Sequence, residues 1–203
     1  MFENIMEINK QLLNYFNSFS DIELIWENIG ILADSPIFFL PIFLVWAWSY
    51  YSFINKPSSE KNEKKSNLIF IVYWVIFSIL VSLLIQQFVH LDRPELHLIN
   101  SWKLLMEHLP DASFPSDHAT VSFAFLTWLF LANYKKIWLV FLPFVLIMNI
   151  SRIIAWVHWP FDILAWSLVW IFTMVFMFKY WKKCKILINI NKFIIKIMNY
   201  IKL

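Results

Sequence analysis

The sequence is poor in cysteine, glycine and charged residues. It contains one cysteine, Cys184, and one glycine, Gly30, and only 15% of its 203 residues are charged. A single cysteine excludes an internal disulfide and a cysteine-rich metal site. A single glycine excludes a glycine-rich phosphate-binding loop, so any bound phosphate would have to be held by side chains and helix ends.

Apolar residues dominate instead. They make up 60% of the chain and include 21 Phe and 12 Trp. A soluble domain of this length could not enclose so much apolar surface, so the chain is predicted to be an integral membrane protein. The N-terminus lacks the basic start and small-residue cleavage site of a signal peptide, and we expect no processing.

Five apolar runs predict an all-α membrane bundle with about five transmembrane helices. About 20 apolar residues suffice to cross a bilayer. The runs cover roughly residues 36–54, 68–89, 119–133, 137–151 and 160–178.

The segments around these runs predict interfacial helices and loops. Residues 1–35 carry apolar residues at helical spacing, which fits an amphipathic helix lying on the membrane and a packing helix equally well. Residues 55–67 are predicted to form an exposed polar loop. A short interfacial helix is expected over 102–109, and the basic tail, residues 179–203, predicts a helix on an anionic leaflet. His90, His97 and His108 have no supporting spacing and are interpreted as loop residues.

The distribution of positive charge predicts the orientation. With the N-terminus outside, five crossings leave the segments 55–67 and 134–136 and the C-terminal tail inside. These three segments hold 13 of the 17 Lys and Arg residues. Because inner segments of membrane proteins are enriched in Lys and Arg, the predicted topology is N-out and C-in.

This topology gathers three polar segments at the outer face: Asp92-Arg93-Pro94, Pro115-Ser116-Asp117-His118, and the stretch from Arg152 through His158 to Asp162. Charged groups at membrane depth are costly unless they are paired or face a polar cavity. A carboxylate four residues after a histidine could hold one ring nitrogen and leave the other free as nucleophile, base or metal ligand. An arginine nearby suits a phosphate. We therefore predict a phosphate site at the membrane surface.

Each of these residues taken alone has a structural interpretation. His158 and Asp162 could form a polar pair between helices, and either Arg93 or Arg152 could extend its side chain to the membrane interface. Ser116 is a typical helix cap, and an aspartate following it suits a first helical turn. His118, His158 and Asp162 also form a valid zinc ligand set, although the flanking arginines would repel the cation.

The three segments resemble the three signatures of the type 2 phosphatidic acid phosphatase superfamily, over residues 86–162. The third signature, Ser-Arg-x5-His-x3-Asp, matches residues 151–162 in full. The second, Pro-Ser-Gly-His, matches residues 115–118 with Asp117 at the glycine position. The first, Lys-x6-Arg-Pro, matches Arg93-Pro94 with Gln86 at the lysine position.

This resemblance implies a mechanism. His158 would attack the terminal phosphorus and form a phosphohistidine, and Asp162 would orient its imidazole ring. His118 would protonate the leaving oxygen and later activate water. The family needs no metal, because arginines supply the charge stabilisation.

The resemblance also implies a set of phosphate-binding positions: Arg93, Arg152, Ser116, Asp117 and Gln86. Two of them depart from the family. Gln86 can donate a hydrogen bond but carries no charge. Asp117 is unfavourable beside an anionic substrate unless it points away or pairs with a cation.

The Pro-Ser-Asp-His variant is similar to bacterial undecaprenyl-diphosphate phosphatases associated with bacitracin resistance. It implies one membrane phosphatase domain over 1–203, with core motifs at 86–162, acting on a polyprenyl diphosphate at the outer face of the bacterial plasma membrane. The only expected partners are this lipid and the bilayer, with no nucleic acid and no obligate protein. Dephosphorylation of phosphatidic acid or phosphatidylglycerophosphate remains an alternative, as does binding or transport without turnover, for which Gln86 is the strongest argument.

Overall fold

The computed structural model describes residues 2–89, 91–94, 113–181 and 183–200. Within these ranges all regular structure is helical, which confirms the predicted all-α class. Two 3₁₀ turns, Ser18–Asp21 and Ser35–Phe38, separate the first three helices. The helices are α1 (Phe2–Asn17), α2 (Glu23–Asp34), α3 (Phe39–Phe53), α4 (Ser58–Gln86), α5 (Asp117–Leu131), α6 (Lys135–Ile154), α7 (Pro160–Trp181) and α8 (Lys185–Tyr200). The predicted helix over 102–109 and His90, His97 and His108 lie outside the described residues.

Four helical stretches of the described chain are long and apolar enough to cross a membrane. They are Glu23–Phe53, Ser58–Gln86, Lys135–Ile154 and Pro160–Tyr180. They match the first, second, fourth and fifth predicted spans, and the chain is a multi-pass membrane protein. The third predicted span is α5, whose 15 residues extend only about 22 Å at 1.5 Å per residue.

Helix α5 lies at the centre of the bundle, packed against α4, α6 and α7. Nine of its 15 residues are buried. Phe125, Trp128 and Leu129 belong to the same apolar cluster as Trp74 of α4 and Trp170 of α7. Lipid tails are as apolar as these side chains, so close packing rather than burial from water holds such helices together. The polar N-terminus of α5 is thereby fixed among its three neighbours.

The prediction of a polar loop at 55–67 is wrong, because α4 begins at Ser58. Pro57 precedes the helix, and Glu60 in its first turn complements the helix dipole. Glu60 also pairs with Lys56, at 3.4 Å. The polar turns that follow are stabilised by α8, which packs along them.

The N-terminal helices dock onto the bundle through polar side chains. Asn17 donates from Nδ2 to the Ile154 carbonyl oxygen at 2.9 Å, and Asn9 Oδ1 accepts from the Phe161 amide at 3.1 Å. Apolar Ile5 and Ile8 remain exposed on the other side of α1. The packing interpretation of α1 is therefore confirmed, and the docking brings the end of α2 beside α6.

Helix α8 confirms the predicted basic helix and adds a partner for it. Asn191 donates to Ser66 Oγ and accepts from the Tyr73 hydroxyl, both at 2.9 Å. The polar side of α8 thus faces α4. Its apolar side, with Ile186 and Phe193, is exposed.

Candidate active site

A chain reversal after α6 brings Arg152 and His158 together. α6 ends at Ile154, and Trp156 adopts φ 62°, a left-handed conformation that is uncommon for a bulky residue. The reversal lets the Arg152 carbonyl oxygen accept from the Val157 amide at 3.0 Å and from the His158 amide at 3.4 Å. Arg152 Nη2 then lies 3.3 Å from His158 Nε2.

The ring of His158 is oriented by a backbone carbonyl. Its Nδ1 lies 2.7 Å from the Ser113 carbonyl oxygen. Because a carbonyl oxygen only accepts, Nδ1 carries the proton and Nε2 presents a lone pair. Burial, reinforced by the positive charges of Arg152 and Arg93, holds the pKa of His158 well below its usual value of 6.5. His158 is therefore neutral, with its unprotonated nitrogen facing a guanidinium.

Asp162 does not hold the His158 ring directly, which corrects the prediction from their spacing. Its Oδ2 accepts from Ser113 Oγ at 2.5 Å and from the Trp159 amide at 3.2 Å. His158 precedes α7, which begins at Pro160, so the i, i+4 geometry of a helix does not apply to this pair. Asp162 instead accepts from the amide of the residue before the helix, Trp159, as an acidic residue at the third helical position does in a capping box.

Ser113 connects the two residues and was missed at the sequence level. Its hydroxyl donates to Asp162, and its carbonyl oxygen accepts from His158. Its amide donates to the Leu91 carbonyl oxygen at 2.7 Å. Asp162 therefore acts on the imidazole through Ser113. No periodicity or motif marks a lone serine 45 residues from its histidine partner.

Arg93 ties the first polar segment to the third. Its side chain is buried, and Nη1 donates to the Val157 carbonyl oxygen at 3.1 Å. Trp159 donates from Nε1 to the neighbouring Asp92 carbonyl oxygen at 2.9 Å. The guanidinium is thus held beneath the loop that carries His158.

Ser116 and Asp117 serve the N-terminus of α5. Ser116 is the fully buried N-cap, with Oγ 3.5 Å from the Ala119 amide. Asp117, the first residue of the helix, accepts a hydrogen bond from Ser82 Oγ of α4. This hydroxyl contact accommodates the carboxylate, and the helix N-terminus leaves amides available to an anion.

Gln86 lies at the end of α4 and contacts the same loop. Its Nε2 donates to the Pro115 carbonyl oxygen at 3.4 Å. The amide therefore positions the loop that precedes α5, at the place where the resemblance predicted a phosphate contact.

The guanidinium of Arg152 lies between the two histidines. Its Nη1 is 3.4 Å from His118 Nε2, and its Nη2 is 3.3 Å from His158 Nε2. Arg152 and His158 are 3% and 2% exposed, whereas the His118 side chain is 23% exposed. The second predicted histidine thus forms the more open side of the cluster.

Asp34 is the second residue that the sequence did not predict. It ends α2, and its Oδ1 accepts from Arg152 Nη1 and lies 3.5 Å from His118 Nε2. Its side chain is 40% exposed, so it borders the open side of the site. The available signal was an acid at the edge of an apolar run, which is costly without a partner.

The zinc ligand set considered as an alternative is not assembled among the described residues. Among the described residues no group of three or more His, Cys, Asp and Glu has an arrangement that could hold a metal. Asp162 is turned to Ser113, and a guanidinium lies between the two histidines. A cation placed between these histidines would meet that positive charge.

Together these residues can hold a tetrahedral oxyanion. Guanidinium donors face a neutral imidazole lone pair, and a second imidazole lies on the other side of the same guanidinium. One guanidinium can bind a phosphoryl group through two parallel hydrogen bonds. The lone pair of His158 could then reach the phosphorus.

Comparisons with known proteins identify the family to which the chain belongs. The model of the PAP2 superfamily matches residues 67–186, a stretch that includes both histidines and both arginines. The chain is also 28% identical over 152 residues to the bacitracin transport permease protein BcrC of Bacillus licheniformis, covering 74% of this chain and 68% of the relative. No solved structure matches the chain.

Proposed function

The chain belongs to the PAP2 superfamily, and from that premise we propose that it hydrolyses undecaprenyl diphosphate to undecaprenyl phosphate and inorganic phosphate. The superfamily and the BcrC relative make it a lipid phosphatase. The proposed mechanism rests on the position of the Arg152 guanidinium, which lies between the lone pair of His158 and the ring of His118.

In the first step His158 Nε2 attacks the terminal phosphorus. A phosphorus–nitrogen bond forms, and the bond from phosphorus to the bridging oxygen breaks. His118 gives its proton to that oxygen, which leaves as the lipid monophosphate. Arg93 and Arg152 stabilise the negative charge on the phosphoryl oxygens. Donors that are already held in position in a water-excluded site stabilise such charge more strongly than donors in water.

In the second step water attacks the phosphohistidine. His118, now neutral, takes a proton from the water, and the phosphorus–nitrogen bond breaks. The electron pair returns to Nε2 of His158, and inorganic phosphate leaves. Ser113 holds the Nδ1 proton in both steps, and Asp162 holds Ser113. No metal takes part, because the arginines supply the positive charge.

Asp34 is a carboxylate partner of Arg152 within the chain itself. A buried guanidinium is costly without a negative partner, and Asp34 provides one. An incoming phosphoryl group needs the same Nη1 donor. The phosphate therefore competes with Asp34, whose partly exposed side chain can turn away.

The substrate class rests on the Pro115-Ser116-Asp117-His118 variant and on the relative. The name of that relative refers to bacitracin, and the variant resembles the phosphatases that confer bacitracin resistance by recycling the carrier lipid of cell-wall synthesis. Residues 1–203 act as one domain in the bacterial plasma membrane, with the site on the outer face.

The lipid enters sideways between helices, on the side of Asp34 and His118, and leaves its tail in the bilayer. A pocket sealed from the lipid phase would contradict this route.

Transport without turnover is the second candidate, because the relative's name describes a permease and because Gln86 replaces the family lysine. The retained histidines and arginines favour the phosphatase. Phosphate release from undecaprenyl diphosphate, measured with EDTA for wild type and His158→Ala, separates the two. We expect release by wild type alone. Release abolished by EDTA would favour the zinc alternative, and no release from this or another phospholipid would favour transport.

A further inference from the structure

Two neighbouring cavities lie between α4 and α8, at the end of the bundle away from the catalytic residues, and Ser52 and Phe53 at the end of α3 also bound the smaller one. Their volumes are about 720 and 380 Å³, and Asn62 and Asn199 contribute to the walls of both. Helix α4 begins at these cavities and ends at Gln86 beside the active site. Its 29 residues span about 43 Å, so the two sites are separate.

The walls of the cavities carry an excess of positive charge. Lys192 and Lys196 of α8 line the larger cavity, and Lys61 and Lys65 of α4 line the smaller. Of the described residues that line the two cavities, Glu63 alone is acidic. The combined site therefore has a net charge complementary to an anion.

Lys65 is a buried cation that has no acidic partner among the residues that the structure describes. It is 2% exposed. Its Nζ donates to Asn199 Oδ1 at 2.8 Å and lies 4.7 Å from the centroid of the Trp48 ring. Among the described residues no carboxylate lies within ion-pair distance of it. Because buried charges are normally paired, an ammonium in this position is matched best by a bound anion.

The rest of the lining fits a ligand with a polar head and an apolar part. Ser59 and Asn67 add a hydroxyl and an amide to the larger cavity. Phe70, Ile188 and Ile195 give the same cavity an apolar wall. The outward side of α8 exposes Ile186 and Phe193, so a lipid would lie next to the site.

We propose that the α4–α8 cavities bind the phosphate of an anionic phospholipid at the face opposite the active site. Lysines of both helices contact the phosphate, the amides and hydroxyls contact the head group, and the apolar wall contacts the first part of a chain. A phospholipid bound in these cavities contacts both helices and so links α8 to α4. The site does not depend on the proposed reaction.

The test measures binding of phosphatidylglycerol to the purified full chain in detergent, by native mass spectrometry. This lipid is a phosphodiester without a terminal phosphoryl group, so the active site does not consume it. The test variant is Lys192→Ala/Lys196→Ala. The matched control is Lys135→Ala/Lys136→Ala, which removes the same charge from exposed lysines at the same end of the bundle, where Lys64 lies over the Tyr134 ring.

We expect the cavity variant to bind phosphatidylglycerol about tenfold more weakly, while the control binds like wild type. Lys65→Met should weaken binding as well, and circular dichroism checks that each variant is folded. Equal weakening in the cavity variant and the control would overturn the proposal, because general surface charge would explain it. Wild-type binding in the cavity variant would also overturn it. Displacement of the lipid by inorganic phosphate at equal concentration would overturn the lipid assignment in favour of free phosphate.

Discussion

Arg152 donates a hydrogen bond to Asp34 across 118 positions of sequence, and this contact joins the phosphatase motifs to the N-terminal helices. The same Asp34 oxygen lies 3.5 Å from His118. A carboxylate oxygen thus occupies a position between the arginine and the second histidine, where the proposed mechanism places a phosphoryl oxygen. The charge of the Arg152 guanidinium is thus balanced by a carboxylate of the same chain.

Replacement of this carboxylate should tighten phosphate binding. In Asp34→Asn the Nη1 donor of Arg152 is less strongly occupied and a nearby negative charge is lost. We expect the inhibition constant of inorganic phosphate to fall about tenfold, the effect of roughly 1.4 kcal/mol. The control is Glu27→Gln, at an exposed position of α2. A purely structural role for Asp34 would give weaker phosphate binding, and that outcome would refute the competition.

Ser113 and Asp162 should act on His158 as one unit. If Asp162 orients the imidazole through the Ser113 hydroxyl, Ser113→Ala and Asp162→Ala each remove the same support. We expect the double variant to lose no more kcat than the more damaging single variant, in a double-mutant cycle. The comparison cycle pairs Asp162→Ala with Ser82→Ala, whose hydroxyl contacts Asp117, and there the losses should add. Additive losses for Ser113 and Asp162 would show that they act separately.

Arg152→Lys should strongly reduce kcat/KM although it keeps the positive charge. One ammonium cannot contact Asp34, His118 and His158 from the positions that the two guanidinium nitrogens occupy. We expect kcat/KM to fall about 100-fold or more, corresponding to about 2.7 kcal/mol of transition-state stabilisation. Gln86→Ala is the comparison, and it should cost much less because Gln86 contacts a backbone carbonyl. Equal losses would indicate that Gln86 also binds the phosphate.

The buried, neutral His158 predicts a loss of stability in acid. Its pKa is lowered in the folded protein, so below pH 6.5 the unfolded chain binds a proton that the folded chain does not. Stability then falls with decreasing pH by up to about 1.4 kcal/mol per pH unit for this group, until the folded pKa is reached. Thermal unfolding at pH 7.5 and 5.5 should show a smaller decrease for His158→Gln than for wild type. An equal decrease would place the titrating group elsewhere.

The sequence predicted those features that rest on local patterns. Apolar runs of about 20 residues gave four spans that the structure confirms, and helical spacing gave α1 and α8. The order and spacing of the three motifs predicted that Arg93, His118, Arg152 and His158 lie close together. These predictions succeed because periodicity and motif spacing are carried by neighbouring residues.

Other features depend on residues distant in sequence, and local patterns could not reveal them. Asp34 contacts Arg152, which is 118 positions away in the sequence, and Ser113 contacts His158, which is 45 positions away. The start of α4 was predicted as a loop because its polar turns lack an apolar stripe. Their partner is α8, whose Asn191 contacts Ser66 across 125 positions. The spacing of His158 and Asp162 misled because the helix begins between them.

Trapping a phosphohistidine tests most directly whether His158 carries the phosphoryl group. The protein is mixed with undecaprenyl diphosphate labelled with ³²P at the terminal phosphorus, quenched rapidly in base, and digested for peptide mapping. We predict a base-stable, acid-labile label on the peptide that contains His158, absent from His158→Gln and present with EDTA. Turnover by wild type without such a label, or an equal label in His158→Gln, would contradict the phosphohistidine mechanism.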